Sequence, residues 1–463
     1  MFDRKIYIER RRILSGKISS GIILFLGNSN ADINYQGNSY PFRQDSSFVY
    51  YFGLMLPDMA AVMDVESGEE IVFGDDVDVN DIVWTGPQPL VKELADSVGV
   101  SRNEPLRALA EYLGDAVRKN RRIHFLPPYR YQTKMLLNRL LDVPFDEMEE
   151  SASEELIRAV IGMRLVKKDE EIAELEKAAE IGYRMHYAVM KSARLGMKEQ
   201  ELAGLMDGIA MQYGRMTSFP TILSQNGETL HNETHNQILT DGRIIVIDAG
   251  AEALSGYVSD FTRSIPSSGK FNSRQKDIYE IVKSANEYFP VIARPGETFE
   301  SLHLKVVRLM LEGLKGLGLV KGDLDEAVSC GVQGLFMPHG LSHHIGLDVH
   351  DLSSMGRKYM GFDDTYRKFL GTAQPATAMG KTLEAGYVVS NEPGIYFIPA
   401  LIEQWKSEGK NKEFVNFSAL EDWYDFGGIR LEDDILITAD GCRLIGTHRL
   451  PISIEDVENV MGE

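Results

Sequence analysis

Four of the chain's ten histidines fall within the stretch Met337–Asp351, at His339, His343, His344 and His350. Pro338, Gly340 and Gly346 interrupt that stretch, so it reads as loop and strand rather than one helix, and it gathers several imidazoles into one region. In extended chain His343 and His344 point to opposite faces, so at most one of the two is expected to face a site. A few solvated surface histidines are the plainer alternative. No His-Glu-x-x-His occurs, which excludes the helical zinc-protease arrangement.

Carboxylates placed at the ends of apolar strands are the second signal. Asp248 closes the run Ile244-Ile245-Val246-Ile247. Alternation puts Ile244, Val246 and Asp248 on one face, where an ionised carboxylate is costly unless paired or bound to a cation. Asp260 lies beyond the turn-like Leu254-Ser255-Gly256, and a hairpin there would set the two aspartates side by side. The alternative for Asp260 is an ion pair with Arg263. Glu392, in Val388-Val389-Ser390-Asn391-Glu392, follows the same logic, and Glu432 shares a strand face with Arg430, whose guanidinium could brace it. On residue pattern alone, Asp433 and Asp434 remain an alternative pair to Glu432.

These residues need elements to hold them. At roughly 100–200 residues per domain, 463 residues suggest two or three domains with ample core. A net charge of −20 argues against a nucleic-acid surface. Cys330 and Cys442 are the only cysteines, and no stretch is apolar enough to span a membrane or serve as a signal peptide, so the expected location is the cytoplasm. Strands are expected at residues 22–26, 48–52 and 71–73, with helices near 105–118 and 133–141. The acidic segment Glu149–Glu155 marks the expected boundary, giving domains 1–155 and 156–463. Asp169 is expected to cap a long helix, and Leu202, Leu205, Met206 and Ile209 mark a second. After the strand at Ile244–Ile247 the order recurs: a capping box at Asn272 and Gln275, then a helix opened by Thr298. Two helices followed by strands, twice over, suggest a duplicated architecture.

At these residues the sequence resembles the Xaa-Pro peptidases, aminopeptidase P and prolidase, among the methionine-aminopeptidase-like "pita-bread" metallopeptidases. The resemblance rests on Asp248–Glu252, Ser259–Arg263, His339–His343, Gly346–Asp351, Asn391–Tyr396 and Gly428–Asp434, with Tyr40–Phe48 matching the family's N-terminal domain. It implies an α+β chain: an N-terminal α/β domain, then a C-terminal pita-bread domain of two pseudo-twofold halves. It implies that Asp248, Asp260, His343, Glu392 and Glu432 hold two divalent ions, Asp260 and Glu432 in bridging positions. His231 matches a histidine that stabilises the tetrahedral intermediate, His339 and His350 match histidines lining the substrate cleft, and Arg430 matches the arginine beside the bridging glutamate. Such an oxygen-rich donor set suits Mn²⁺ first, with Co²⁺ or Zn²⁺ as alternatives. A hydroxide shared by the two ions would attack the carbonyl before proline, with Glu392 as the proton shuttle by analogy. The implied partners are peptides with proline second and further copies of the same chain, as a dimer or tetramer.

Some features depart from the family pattern. The turn between Asp248 and Asp260 looks one residue longer than is usual in the family. Insertions near 352–381 and 399–426 resemble prolidase. Ala378 stands where prolidase has an arginine for the dipeptide carboxylate, with Lys381 nearby as the alternative anchor, and Ser342 leans towards aminopeptidase P. Proteins of this fold that act as metal-free binding modules lose ligand residues, whereas all five matching positions are filled here. The intact set also disfavours a metal-free amidinohydrolase.

Overall fold

The structure is a computed structural model that describes residues 2–361 and 381–463. Two compact units emerge: Met1–Arg164 with Ser354–Tyr359, and Leu165–Ser353 with Met360–Glu463. Ala378 and most of the insertion near 352–381 lie outside the described residues.

The first unit is built on a five-stranded sheet with Ile22–Leu26 pairing Ala60–Asp64 antiparallel and Ile123–His124 parallel. Ile22–Phe25 is a buried apolar run, as a central strand requires. The strand expected at 48–52 is instead the helix Ser46–Phe52. Every residue of it is buried, so the all-round apolar pattern carries no period. The ends decide: the Asp45 carboxylate accepts from the Phe48 N–H at 2.9 Å, and Gly53 closes the helix at φ 64°. The acidic segment before residue 156 is likewise helical, in Met148–Ser151 and Glu154–Arg164, with Glu154 and Glu155 in a first turn that favours negative charge.

The second unit starts with the helix Asp169–Ser192, which Lys168 rather than Asp169 precedes as cap residue; the Glu171 carboxylate accepts from the Lys168 N–H. The helix Glu199–Tyr213 follows, then the strands Ile222–Ser224, Ile244–Ala249 and Phe261–Pro266, which form one sheet with Ile244–Ala249 in the middle. The helices Ser273–Ile292 and Phe299–Gly316 repeat the order, leading to a sheet of Val388–Asn391, Asp433–Ile437 and Cys442–Leu444. Asn272 and Gln275 form the expected capping box, and the Thr298 hydroxyl accepts from the Ser301 N–H.

The duplication is visible at the joints. Ala193-Arg194-Leu195-Gly196 and Ala293-Arg294-Pro295-Gly296 leave their helices alike, with Gly196 at φ 87° and Gly296 at φ 94°. Only glycine adopts that backbone without strain. Gly196 N–H donates to the Leu239 carbonyl and Gly296 N–H to the Leu383 carbonyl, each at 3.0 Å. The two halves are stitched by the bridge Thr262↔Glu432, where Glu432 N–H donates to the Thr262 carbonyl at 2.9 Å. Among the described residues no helix is long and apolar enough to cross a membrane.

Candidate metal centre

Strand pairing sets the carboxylates in place. Ile244–Ala249 and Phe261–Pro266 run antiparallel with Thr262 opposite Asp248, so Asp260 sits just before the pairing strand, diagonal to Asp248. The longer turn is absorbed by Ala251–Glu252 and the bridge Glu252↔Val258, and the ladder beyond it stays regular. The bridge at Thr262 carries Glu432 to the same spot. Asp260, His343 and Glu432, all buried, offer ligand atoms within 4.8 Å of one another.

The His343 ring is oriented from behind. Its Nδ1 donates to the His344 carbonyl at 3.2 Å, so Nε2 carries the lone pair. That lone pair faces Asp260 at 3.4 Å, Glu392 at 3.5 Å and Glu432 at 3.9 Å. An acceptor aimed at three carboxylates is repulsive unless protons or a cation lie between them. Protein donors also hold oxygens of the cluster. The Thr262 hydroxyl donates to Glu432 Oε2 at 2.7 Å, Ser390 Oγ to Glu392 Oε1 at 3.3 Å, and Arg430 Nη2 to Asp248 Oδ2 at 2.5 Å. Asp248 Oδ1 and Asp260 Oδ1 are buried with no hydrogen-bond partner among the described residues. Such orphaned acceptors fit divalent cations.

Electrostatics agree. Burial, then the charges of Asp248 and Glu392, pushes Asp260 well above the usual carboxylate range. Burial and Asp260 do the same to Glu432, and burial and Glu432 to Glu392. Burial lowers His343 and keeps its imidazole neutral, the form that ligates. Neighbouring carboxylates that suppress each other's ionisation mark a place for positive charge.

The other candidates surround this cluster. His339 Nδ1 donates to the Gly340 carbonyl at 2.8 Å, leaving Nε2 to accept from the Tyr396 hydroxyl at 2.9 Å. Tyr396 in turn accepts from Arg430 Nη1 at 2.8 Å, so one chain of bonds runs from Asp248 through Arg430 and Tyr396 to His339. Burial, then Arg430, lowers His339 to about 3. His350 stacks on His343 with ring centroids 4.0 Å apart. His231 is exposed and lies near enough to His339 and His350 to disfavour positive charge on either.

The alternative residues have other partners. Arg263 pairs with Asp433 at 2.6 Å and not with Asp260. Burial pushes Asp433 up, yet Arg263 and Arg449 together hold it below its usual range, so it is a braced structural carboxylate. Asp434 accepts from the Asp260 N–H at 3.1 Å and supports that turn. His344 faces away, against Phe299 and Tyr387. Thr262 and Tyr396, both buried in the network, had no role in the sequence reading. Thr262 lies two residues after Asp260 on the same strand face, a spacing that could have pointed to it.

The family model for metallopeptidase family M24 matches residues 173–439, and that for the aminopeptidase P N-terminal domain matches residues 7–124. The chain is 31% identical over 454 residues to "Probable Xaa-Pro aminopeptidase PEPP" of Paracoccidioides brasiliensis, covering 95% of this chain and 92% of that protein. A variant of Escherichia coli aminopeptidase P in complex with substrate superposes with a TM-score of 0.80 at 28% identity, over 100% of this chain and 98% of that one. A zinc-substituted E. coli aminopeptidase P in complex with product gives the same TM-score, identity and coverage. The chain belongs to metallopeptidase family M24, in its Xaa-Pro aminopeptidase group.

Proposed function

We propose that this chain, a metal-dependent Xaa-Pro exopeptidase, releases the N-terminal residue from peptides with proline second, with Asp248, Asp260, His343, Glu392 and Glu432 holding two divalent ions. The observation that carries this is the His343 Nε2 lone pair aimed at the buried carboxylates of Asp260 and Glu432 and the half-buried one of Glu392. Mn²⁺ is the ion proposed first on the hardness of the donors, with Co²⁺ or Zn²⁺ as substitutes. When bound, the ions supply a nucleophile from water near neutral pH and polarise the scissile carbonyl.

The chain's own groups do the rest. A prolyl nitrogen is tertiary and leaves only once protonated. Glu392, 3.5 Å from both His343 and His339 and with its proton affinity raised by burial, is placed to take a proton from water and pass it to that nitrogen. His231 and His350 meet the charge that develops on the carbonyl oxygen. His339, held by Tyr396, lines the cleft, and Arg430 fixes Asp248. The proposed location is the cytoplasm, consistent with the free thiols of Cys330 and Cys442. Assembly as a homodimer or tetramer is proposed from the family resemblance.

Dipeptide cleavage alone is the second reading, favoured by the insertion that includes the helix Pro399–Glu408. Ser342, whose hydroxyl donates to the Ser390 carbonyl at 2.5 Å, serves the strand beneath Glu392 and offers no cation for a substrate carboxylate. Product analysis on an Xaa-Pro, Xaa-Pro-Yaa and Xaa-Pro-Yaa-Zaa ladder tests the choice. The expected result is release of the first residue from every length, with N-terminally blocked peptides poor. Cleavage confined to Xaa-Pro would replace the aminopeptidase reading with prolidase and leave the metal chemistry in place.

A further inference from the structure

The second unit contains an ion pair that the metal centre does not use. Lys167 Nζ lies 3.1 Å from Asp351 Oδ2, with side chains 1% and 0% exposed. A buried pair of this kind is seldom more stabilising than well-packed apolar residues, so its value lies in the geometry it imposes.

That geometry bears on one loop. Asp351 directly follows His350, and its N–H donates to the His344 carbonyl at 2.9 Å. The same carbonyl accepts from His343 Nδ1. Gly346 lets the backbone fold closely round the carboxylate, because a Cβ there would run into Asp351 and reach within 3.1 Å of Lys167 Nζ. Leu352 leaves the loop at φ 65°, a left-handed conformation for a residue with a side chain, so the return of the chain is strained and needs an anchor. The other end of the pair is fixed. Lys167 N–H donates to the Gly386 carbonyl, and Gly386 N–H to Ile437, at the end of the strand Asp433–Ile437.

We propose that the Lys167–Asp351 pair is a positioning element for substrate turnover: it holds the loop from His344 to Leu352 so that the His350 ring stays stacked on His343 and turned to the cleft. This rests on the assignment of His350 to the cleft. The pair touches no reacting atom, so it acts through His350.

A double-mutant cycle on the metal-loaded enzyme tests it. Lys167→Met should lower kcat/KM by roughly 10–100-fold, the cost of an ångström-scale misplacement, with bound metal unchanged by elemental analysis. In a His350→Ala background the same substitution should cost less than about twofold, because the group it positions is gone. Equal losses in both backgrounds would overturn the proposal and leave the pair as structural support alone. Loss of metal in Lys167→Met would also overturn it, by showing that the loop serves His343 instead. No effect of His350→Ala itself would sink the assignment of His350 along with the proposal. If Lys167→Met fails to fold because the buried Asp351 loses the Lys167 charge, Lys167→Met with Asp351→Leu removes both charges and enters the same cycle. Parental activity in that folded double variant would overturn the proposal.

Discussion

Chelation is expected to abolish peptide hydrolysis, and added Mn²⁺ to restore it. The reason is the crowding of Asp260, Glu392 and Glu432 around the His343 lone pair, which makes the stripped site bind protons where the loaded one binds cations. All three carboxyls are pushed well above their usual range. An acid whose folded pKa exceeds its unfolded value of about 4 binds more protons folded than unfolded between the two. Raising the pH through that window therefore destabilises the stripped protein. Bound metal takes the place of those protons, so the Tm difference between loaded and stripped protein should widen from about pH 5 to pH 8. Asp260→Ala and Glu432→Ala should each lower activity to the level of the chelated enzyme, with reduced metal by elemental analysis. Full activity in metal-free protein would end the metallopeptidase mechanism.

His231→Ala is expected to lower kcat by roughly 10²–10³, equivalent to about 3–4 kcal/mol of transition-state stabilisation. His231 is exposed at the end of the turn Asn226–His231, outside the buried carboxylate cluster, yet near enough to His339 and His350 to interact electrostatically with both. The turn is anchored at Gly227, where a Cβ would collide with Val246 and Gly428. A donor placed on a fixed turn can meet an oxyanion without holding metal. Metal content and KM should thus stay near parental values while kcat falls. Metal loss in the variant would move His231 into the ligand shell.

Much of this was readable from the chain. An aspartate ending an apolar alternation must be satisfied, and Asp248 is, by Arg430 on one oxygen. The capping box at Asn272 and the duplicated order of helices and strands follow from short-range chemistry that a sequence displays. What it does not display is register across long separations. Nothing local says that Thr262 lies opposite Asp248 and beside Glu432; its spacing from Asp260 hints at a shared face, but its partner, like that of Tyr396, depends on pairings across long separations. Asp433 and Glu432 are equivalent on paper, and only the approach of Arg263 and Arg449 tells them apart. The run Phe48–Phe52 failed for another reason: burial on every side erases periodicity, and the caps at Asp45 and Gly53 outweigh the β-propensity of its aromatics.

The bridge between Thr262 and Glu432 spans 170 positions of chain. Asp248 and Asp260 belong to the first half of the second unit and His343, Glu392 and Glu432 to the second, so neither half alone owns a cation site. Closing a loop of that length is expected late in folding, because its entropy is lost before any contact rewards it. The ion is then expected to act as a latch and not as a nucleus: unfolding rates should fall when metal is bound, while refolding rates measured with and without metal should match.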